Sequence, residues 1–238
     1  VNEQLEEYYI QTIKSIPKMV YYGEFSPKGL PSTPNLNELK NTLDGKARLF
    51  VANKVEGSIW NPITGKRQRH DACVVRLQDK NSKAVLDFKY PEANDDYILF
   101  YKFELPSNKQ GKGIGGELFT RYWKALMECF DVRGMESPVL DSPDQQPVFD
   151  DHRDNWRFEQ AAPGQTKLHS WWTKLGGVAK DRAEPNRLYF MRFKQACAWV
   201  TDHPDQAQQA QASFGAPIYS TQQQEVLNDV LSAVNMAA

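Results

Sequence analysis

The sequence predicts a layered fold of the α+β (α/β) class, with a mixed central sheet, flanking helices and a helical extension at the C-terminus. Three observations support this. Hydrophobic residues make up 40% and charged residues 25% of the 238 residues, which is ordinary globular composition. Segments rich in β-branched and aromatic residues recur between residues 47 and 105. A glycine-rich turn then opens an amphipathic helix.

Residues 1–44 are predicted to form a helical and loop segment at the N-terminus of the domain. Residues 3–15 carry apolar side chains at helical spacing, and Pro17 ends that pattern. Three prolines in residues 23–36 predict a loop, and a short helix is expected over residues 37–43.

The predicted core, residues 45–200, starts with strands and continues with alternating helices and strands. Its first strands are expected at 47–54, 72–79, 83–90 and 97–105. In the helix that follows the glycine turn, Leu118, Tyr122 and Cys129 recur on one face, so that face is expected to be buried.

The second half of the core is predicted from shorter signals. A strand is expected at 137–142 and a polar, irregular insertion at 143–163, followed by a helix at 165–175 and a strong strand at 187–193.

Residues 201–238 are predicted to be a Gln/Ala-rich linker and an amphipathic tail helix. Thr221 and Gln224 match a capping box, and one apolar stripe runs along residues 221–236. This stripe predicts docking, either on the chain's own domain or, as a protein partner or self-assembly site, on another subunit.

Charge and hydropathy argue against several classes of partner. The 29 Lys and Arg residues against 30 Asp and Glu give no basic surplus of the kind that is typical of nucleic-acid binding, although local basic patches are compatible with this balance. A membrane span needs about 20 apolar residues, and no run in this chain approaches that length. The basic segment at 65–70 is interpreted as a solvated turn, with contact to nucleic acid or an acidic partner as the alternative.

The cysteines and histidines do not form a predicted disulfide or metal site. Cys73, Cys129 and Cys197 are widely spaced and odd in number, which is typical of a reduced, cytoplasmic protein. His152 lies in a charged loop with no second His or Cys cluster near it in sequence, so no metal is predicted.

The most informative motif is the turn from Gln110 to Gly116, which follows a strand and opens a helix. Glycines let the backbone approach a ligand, and the first N–H groups of a helix attract anions. Lys109 and Lys112 add positive charge. The spacing fits neither GxxxxGK[ST] nor GxGxxG, so a phosphate ligand of another kind is expected.

The pattern Gln110-x-x-Gly113-x-Gly115 resembles motif A of the GNAT superfamily, the acetyl-CoA-dependent N-acetyltransferases. A second element supports the resemblance, because residues 165–177 follow the register of the family's later helix and contain its Lys-Leu-Gly at Lys174 to Gly176. The resemblance covers roughly residues 45–195 and implies a GNAT-like mixed sheet.

The resemblance implies that acetyl-CoA is the co-substrate and that its acetyl group passes to an amine, which the sequence does not identify. The loop amides would bind the CoA pyrophosphate, and the backbone of residues 103–105 would pair with the pantetheine arm. The implied cofactor-binding residues are Phe103, Leu105, Gln110, Gly111, Lys112, Gly113, Ile114, Gly115 and Gly116.

The resemblance leaves more than one candidate for each catalytic role. Glu104 and Asp141 are the carboxylates nearest the expected centre, and either can act as general base directly or through water. Where many family members place a tyrosine as the acid for the CoA thiolate, this chain has Trp172, whose indole cannot deliver that proton. Tyr189 or a water is therefore the expected acid.

A different class of function stays open. The chain can be a catalytically inactive GNAT-fold component of a larger assembly, for instance a virion. Trp172, the insertion and the tail helix favour that alternative, whereas the glycine turn favours the enzyme. The expected location is the cytoplasm for the enzyme, and the virion or other large assembly for the inactive component.

Overall fold

The computed structural model describes residues 20–21, 33–61, 66–137, 145–150, 155–160, 167–180 and 187–237. The chain divides into two compact units. The first consists of Val1–Asn94 and Phe100–Gly115, and the second of Asp95–Leu99 and Gly116–Ala238. Helices and a mixture of parallel and antiparallel strand pairs occur, which confirms the predicted α+β class with a mixed sheet.

The first unit is built on antiparallel strands. Its elements are β1 (Val20–Tyr21), α1 (Thr33–Thr42), β2 (Ala47–Asn61), β3 (Lys66–Asp79), β4 (Val85–Lys89) and the C-terminal part of β5 (Tyr97–Glu104). Each strand pairs antiparallel with the next one along the chain, so the five strands form a meander.

Side chains alternate across this sheet and separate an apolar face from a polar one. Leu77, Leu86 and Phe88 have no exposed surface. On the opposite face, Arg76 lies across from Asp87 in the next strand. The polar face therefore places charged groups in the middle of the sheet.

A β-bulge interrupts the pairing of β4 with β5. Asp87 pairs with Lys102, whereas its neighbour Phe88 pairs with Phe100, so Tyr101 is the extra residue. A bulge bends its strand and changes the direction of the backbone groups that follow. Tyr101 lies in the same strand that leads to the predicted glycine turn, which starts at Gln110.

The second unit alternates helices with short strands. Two elements belong to it in part: Tyr97–Leu99 of β5, and all of α2 (Ile114–Cys129) except its first two residues. The remaining elements are β6 (Gly134–Glu136), β7 (Gln145–Asp150), β8 (Asn155–Gln160), α3 (Lys167–Lys174), β9 (Val178–Ala179), β10 (Leu188–Met191), α4 (Phe193–Asp202), α5 (Pro204–Gln209), α6 (Gln211–Phe214) and α7 (Thr221–Ala237).

In this unit β6 is the central strand. It pairs in parallel with Tyr97–Leu99 of β5 and antiparallel with β10, and β9 pairs with the other edge of β10. Among the described strands, β7 and β8 pair only with each other. The core contains Phe119, Met135 and Phe190, none of which has exposed surface.

Several local predictions need correction. Of the strand expected at 137–142, only Ser137 belongs to the described part of the chain, and it is not in a strand; residues 138–144 lie outside that part. The short strand β6, which ends at Glu136, was not predicted. The segment 143–163 contains the paired strands β7 and β8 rather than only irregular chain. The helix expected at 3–15 lies outside the described residues.

Two other predictions were wrong. Residues 66–70 belong to β3, where they pair with β2, and do not form a turn. The segment expected to be a linker is helical, and its Ala207 and Phe214 have no exposed surface. Glutamines separate these apolar side chains in the sequence, so no apolar stripe indicated that one side of the segment is buried.

The tail helix is confirmed, but its capping box lies one residue earlier than predicted. The Ser220 hydroxyl accepts a hydrogen bond from the backbone N–H of Gln223 at 3.2 Å, and the Gln223 side chain accepts one from the N–H of Ser220 at 2.9 Å. Gln224 instead donates to the carbonyls of Ala216 and Tyr219. Thr221 is thus the first helical residue rather than the cap.

The apolar stripe of α7 docks on its own unit. The helix packs against α4, α5 and α6, and Leu227 and Leu231 are buried there. Val226 and Met236 are exposed, Met236 at 83%.

Candidate functional site

The loop between β5 and α2 is held by local hydrogen bonds. Residues Ser107–Lys109 form one turn of 3-10 helix. The Gln110 side chain then donates from Nε2 to the carbonyl oxygen of Leu105 at 3.0 Å. Gln110 thus closes the loop on itself, and its side chain fixes the direction in which the chain enters the glycines.

Gly111 and Gly113 give the turn its shape. Their φ angles are 73° and 75°, a region in which a side chain strains the backbone. A Cβ atom at either position would have no described heavy atom within 4 Å. These glycines are therefore required by backbone conformation, and the space where their side chains would stand is open to a ligand.

The turn leads directly into the N-terminus of α2. The helix begins at Ile114, so the first N–H groups there lack helical partners and carry the positive end of the helix dipole. Lys112 is exposed and Lys109 is half-buried. The combination of free amides, positive charge and open space over two glycines is suited to an anionic group such as a phosphate.

Gly116 has a packing role that sequence reasoning missed. A Cβ atom on Gly116 would lie 3.2 Å from a methyl group of Leu175, so the absence of a side chain lets these segments approach closely. Its predicted contact with a cofactor stays a prediction, as do those of Ile114 and Gly115, which are half-buried at the start of the helix.

The predicted base Glu104 stands at the end of β5. It pairs with Val85 of β4, is 54% exposed and forms an ion pair with Lys102 two residues before it. Phe103 pairs with Leu86 on the same edge of the strand. Asp141, the other predicted base, lies outside the described residues.

A buried ion pair near Glu104 was not predicted. The Arg76 guanidinium donates to both carboxylate oxygens of Asp87, at 2.6 and 2.7 Å, and Asp87 has no exposed surface. The hydrogen bond to Asp87 raises the pKa of Arg76, while burial acts in the opposite direction. The sequence does carry a signal for this pair: Arg76 and Asp87 have opposite charges, and each interrupts an apolar run in one of two successive predicted strands.

The predicted acid Tyr189 lies in the second unit, in β10. Its ring packs edge-to-face on Tyr97, with centroids 5.0 Å apart. The ammonium nitrogen of Lys180 stands 5.2 Å from the Tyr97 centroid and 5.3 Å from that of Tyr189. Burial is the main cause that raises the pKa of the Tyr97 phenol.

Glu136 is a further member of this group that sequence reasoning missed. It lies directly across from Tyr189 in the antiparallel pair, and one of its oxygens is 3.8 Å from Arg187. The side chain of Glu136 is 20% exposed. Its position beside Tyr189 depends on strand register, which the sequence alone did not define.

Trp172 is a core residue of the second unit. It is 5% exposed and packs edge-to-face against Phe119, Trp171 and Phe190, with ring centroids 5.1, 4.6 and 5.8 Å apart. The aromatic residue at this position therefore stabilises the packing of α3.

Comparisons with known proteins give no relatives. No family model matches the chain, and no curated protein or solved structure matches it significantly. In the described part of the chain, no group of three or more His, Cys, Asp or Glu side chains is arranged to hold a metal. Among the described helices, none combines the length and the apolar character that a bilayer crossing requires.

Proposed function

We propose that the chain is an acetyl-CoA-dependent N-acetyltransferase with a GNAT-like fold, which transfers the acetyl group to an amine. The observation that carries the proposal is the glycine turn between β5 and α2. Gly111 and Gly113 adopt positive φ with open space around the positions of their absent side chains, immediately before the first N–H groups of a helix.

The turn fits the pyrophosphate of CoA on physical grounds. A pyrophosphate needs several N–H donors at close range, and bare glycine backbone brings donors closer than any side chain allows. Lys112 adds a cation that is free to move toward the ligand because it is exposed. The hydrogen bond from Gln110 to Leu105 favours this loop conformation, and a preorganised loop loses less entropy on binding.

The rest of the proposed reaction follows from the chemistry of acyl transfer. The attacking amine must lose a proton, the thioester carbonyl must be polarised and the leaving thiolate must be protonated. The β5 backbone at residues 103–105 is proposed to hold the pantetheine arm; it follows the bulge at Tyr101, a feature that bends a strand and is frequent next to active sites. Tyr189 is the proposed acid.

The test is calorimetric titration of the wild type and the Gly113→Glu variant with CoA and acetyl-CoA. The glutamate places a side chain and a negative charge in the proposed pyrophosphate position, so binding is expected to be lost. Gly45→Glu is the matched control. Gly45 also has positive φ, at 66°, and is exposed in the same unit, but it lies away from the turn in the sequence.

Binding by the wild type and by Gly45→Glu, with loss in Gly113→Glu, is the expected result. Equal affinity in all three proteins would remove the glycine turn from the cofactor site. Absence of binding in the wild type would refute the acetyl-CoA proposal itself.

A second candidate is supported by the packing of Trp172. The position at which the resemblance places a tyrosine acid is filled here by a buried core residue. This favours a catalytically inactive GNAT-like protein that serves as a component of a larger assembly, such as a virion, with exposed Val226 and Met236 of α7 as part of its contact surface. Absence of CoA binding together with assembly in solution would favour this candidate. A cytoplasmic location is proposed for the chain if it is the N-acetyltransferase.

A further inference from the structure

The hairpin of β2 and β3 continues past the sheet of the first unit. β3 pairs with β4 only over residues 74–78, and β1 pairs with β2 only over residues 50–51. β2 and β3 go on pairing with each other over seven further residue pairs, which join residues 55–61 to residues 66–72. Among the described strands, none pairs with this part of the hairpin, which is called the ribbon below.

A β-bulge separates the ribbon from the sheet. The register passes from Ala52 opposite Val74 to Val55 opposite Ala72, so β2 has two residues between these pairs where β3 has one. A bulge bends its strand and increases the local twist. The ribbon is therefore a two-stranded element that begins at the bulge and has a length of about 20 Å.

Strand register divides the residues of the ribbon between its two faces. Successive residues of a strand belong to opposite faces, and directly opposed residues of an antiparallel pair share a face. Trp60 is opposed to Arg67, and Ser58 is opposed to Arg69. Because these two pairs are two positions apart, one face of the ribbon combines an aromatic residue, a hydroxyl residue and two arginines.

The charged residues are segregated along the ribbon. Residues 57–70 contain no Asp or Glu and three Lys or Arg residues, namely Lys66, Arg67 and Arg69. The acidic residues Glu56 and Asp71 form the next opposed pair, toward the bulge. In a chain whose net charge is −1, the outer ribbon is thus a local excess of positive charge, which favours a polyanionic partner.

We propose that the ribbon binds single-stranded nucleic acid, with Arg67 and Arg69 on its phosphates and Trp60 stacked on a base. The proposal does not depend on acetyl-CoA binding, because the ribbon is defined without the glycine turn. The sequence pattern alone favoured a solvated turn at residues 65–70. Pairing with β2 instead places the arginines of this segment opposite Ser58 and Trp60.

The combination of residue types favours nucleic acid over other polyanions. An acidic protein surface is matched by positive charge alone, and a membrane surface requires a larger apolar face. Proteins that bind single strands combine cations that follow the phosphates with aromatic residues on which bases stack. Arginine suits such a surface because its planar guanidinium forms two hydrogen bonds with one phosphate and also stacks on bases.

Trp60 favours a single strand over a duplex. The bases of a duplex are stacked on each other, so an aromatic residue finds an open base face only where the strand is unpaired. Directly opposed residues of an antiparallel pair are about 5 Å apart. The opposition of Trp60 to Arg67 therefore lets one short stretch of ribbon contact a base and a neighbouring phosphate together.

The first test measures binding of a fluorescein-labelled oligothymidine of 12 nucleotides to the full chain, by anisotropy at several salt concentrations. Each neutralised phosphate of a single strand contributes about −0.7 to the slope of log affinity against log salt, so three cations predict a slope of about −2. Arg67→Gln and Arg69→Gln are each expected to make the slope less steep by about 0.7.

Arg48→Gln is the matched control for the two arginine variants. Arg48 is an exposed residue of β2 in the same unit, and it lies outside the ribbon. The affinity and the salt slope of this variant are expected to equal those of the wild type.

The second test isolates stacking through tryptophan fluorescence, with unlabelled oligothymidine. The chain has six tryptophans, and the quenching due to Trp60 is the difference between the wild type and Trp60→Phe. Trp60→Phe is expected to keep the affinity within a few-fold and to lose that quenching, because phenylalanine still stacks on a base. Trp60→Ala is expected to weaken binding about tenfold. If Trp60→Ala does not fold, the quenching in Trp60→Phe still decides.

A 12-base-pair duplex and heparin are the comparison ligands. Tighter binding of oligothymidine than of either, with quenching by Trp60 and slope changes confined to the ribbon variants, supports the proposal. Absence of oligothymidine binding at low salt overturns it, as does equal or tighter binding of the duplex or of heparin. Equal losses of affinity in Arg48→Gln and Arg67→Gln would show that general surface charge, and not the ribbon, attracts the oligonucleotide, and would overturn it as well.

Discussion

Arg76 and Asp87 face each other across β3 and β4, and the guanidinium donates two hydrogen bonds to a carboxylate that solvent does not reach. Removing one partner from such a pair leaves the other charge buried without compensation. Because the pair lies beside the bulge at Tyr101, it also stabilises the part of the sheet that leads to the glycine turn.

Asp87→Asn is therefore expected to lower the free energy of unfolding by about 3 kcal/mol. Urea unfolding followed by circular dichroism measures the change. The double variant Arg76→Met, Asp87→Leu is the control, because it removes both charges and is expected to recover most of the loss. A single variant as stable as the wild type would show that the ion pair contributes nothing.

This pair also shows where sequence reasoning reached its limit in the first unit. The β-branched and aromatic runs identified β2, β3, β4 and β5, because strand propensity and burial act on the same residues there. Which charged residue of a strand is buried depends on its partner in the next strand. That partner is defined by register, which a single sequence does not fix.

The second unit shows a different limit. β6 is only Gly134–Glu136, and its residues carry no strand pattern, so the sequence analysis did not predict it. The glycine turn and the amphipathic helix α2 were identified because backbone conformation and burial leave local marks in the sequence. The placement of Glu136 beside Tyr189 left no such mark, since it joins residues more than 50 positions apart.

Gly134 is a second position at which backbone contact dictates the residue. Its φ is 158°, and a Cβ atom there would lie 2.3 Å from the carbonyl oxygen of Phe190. Gly134→Ala is expected to lower the free energy of unfolding by about 2 kcal/mol or more, because β10 must move away.

Gly215→Ala is the matched control for Gly134→Ala. Gly215 has a φ of −87°, and no described atom lies within 4 Å of the position that a Cβ atom would take there. Its replacement is expected to leave stability unchanged or to raise it slightly, by about 0.5 kcal/mol, through the unfolded chain. Equal stability losses in the two variants, measured by thermal unfolding, would contradict the contact between Gly134 and Phe190.

Cys73 gives the stability a predictable dependence on alkaline pH. Burial raises the pKa of its thiol from 9.0 to about 11. Between these values the unfolded chain releases the thiol proton while the folded chain keeps it, so unfolding is favoured as the pH rises. The contribution is complete below the lower value and is lost as the pH passes through the upper one.

The measurement is urea unfolding of the wild type and of Cys73→Ser across that alkaline range. Serine does not titrate there, so the stability of the variant is expected to fall less steeply with pH than that of the wild type. An identical slope in the two proteins would show that the Cys73 thiol is not protected from ionisation by the fold.

Lys112 is expected to contribute charge, but not shape, to acetyl-CoA binding. It is exposed between Gly111 and Gly113, two residues before the first residue of α2, and its side chain can reach a phosphate without being part of the fold. Lys112→Gln should therefore weaken acetyl-CoA binding a few-fold, corresponding to about 0.5 kcal/mol, and leave thermal stability unchanged. The weakening should disappear at high salt, because screening then removes the attraction between Lys112 and the phosphate in the wild type.

Lys124→Gln, at an exposed position of α2, is the control for Lys112→Gln and should bind acetyl-CoA as the wild type does at every salt concentration. If both lysine variants lose the same affinity, general surface charge attracts the ligand and the glycine turn has no local electrostatic role.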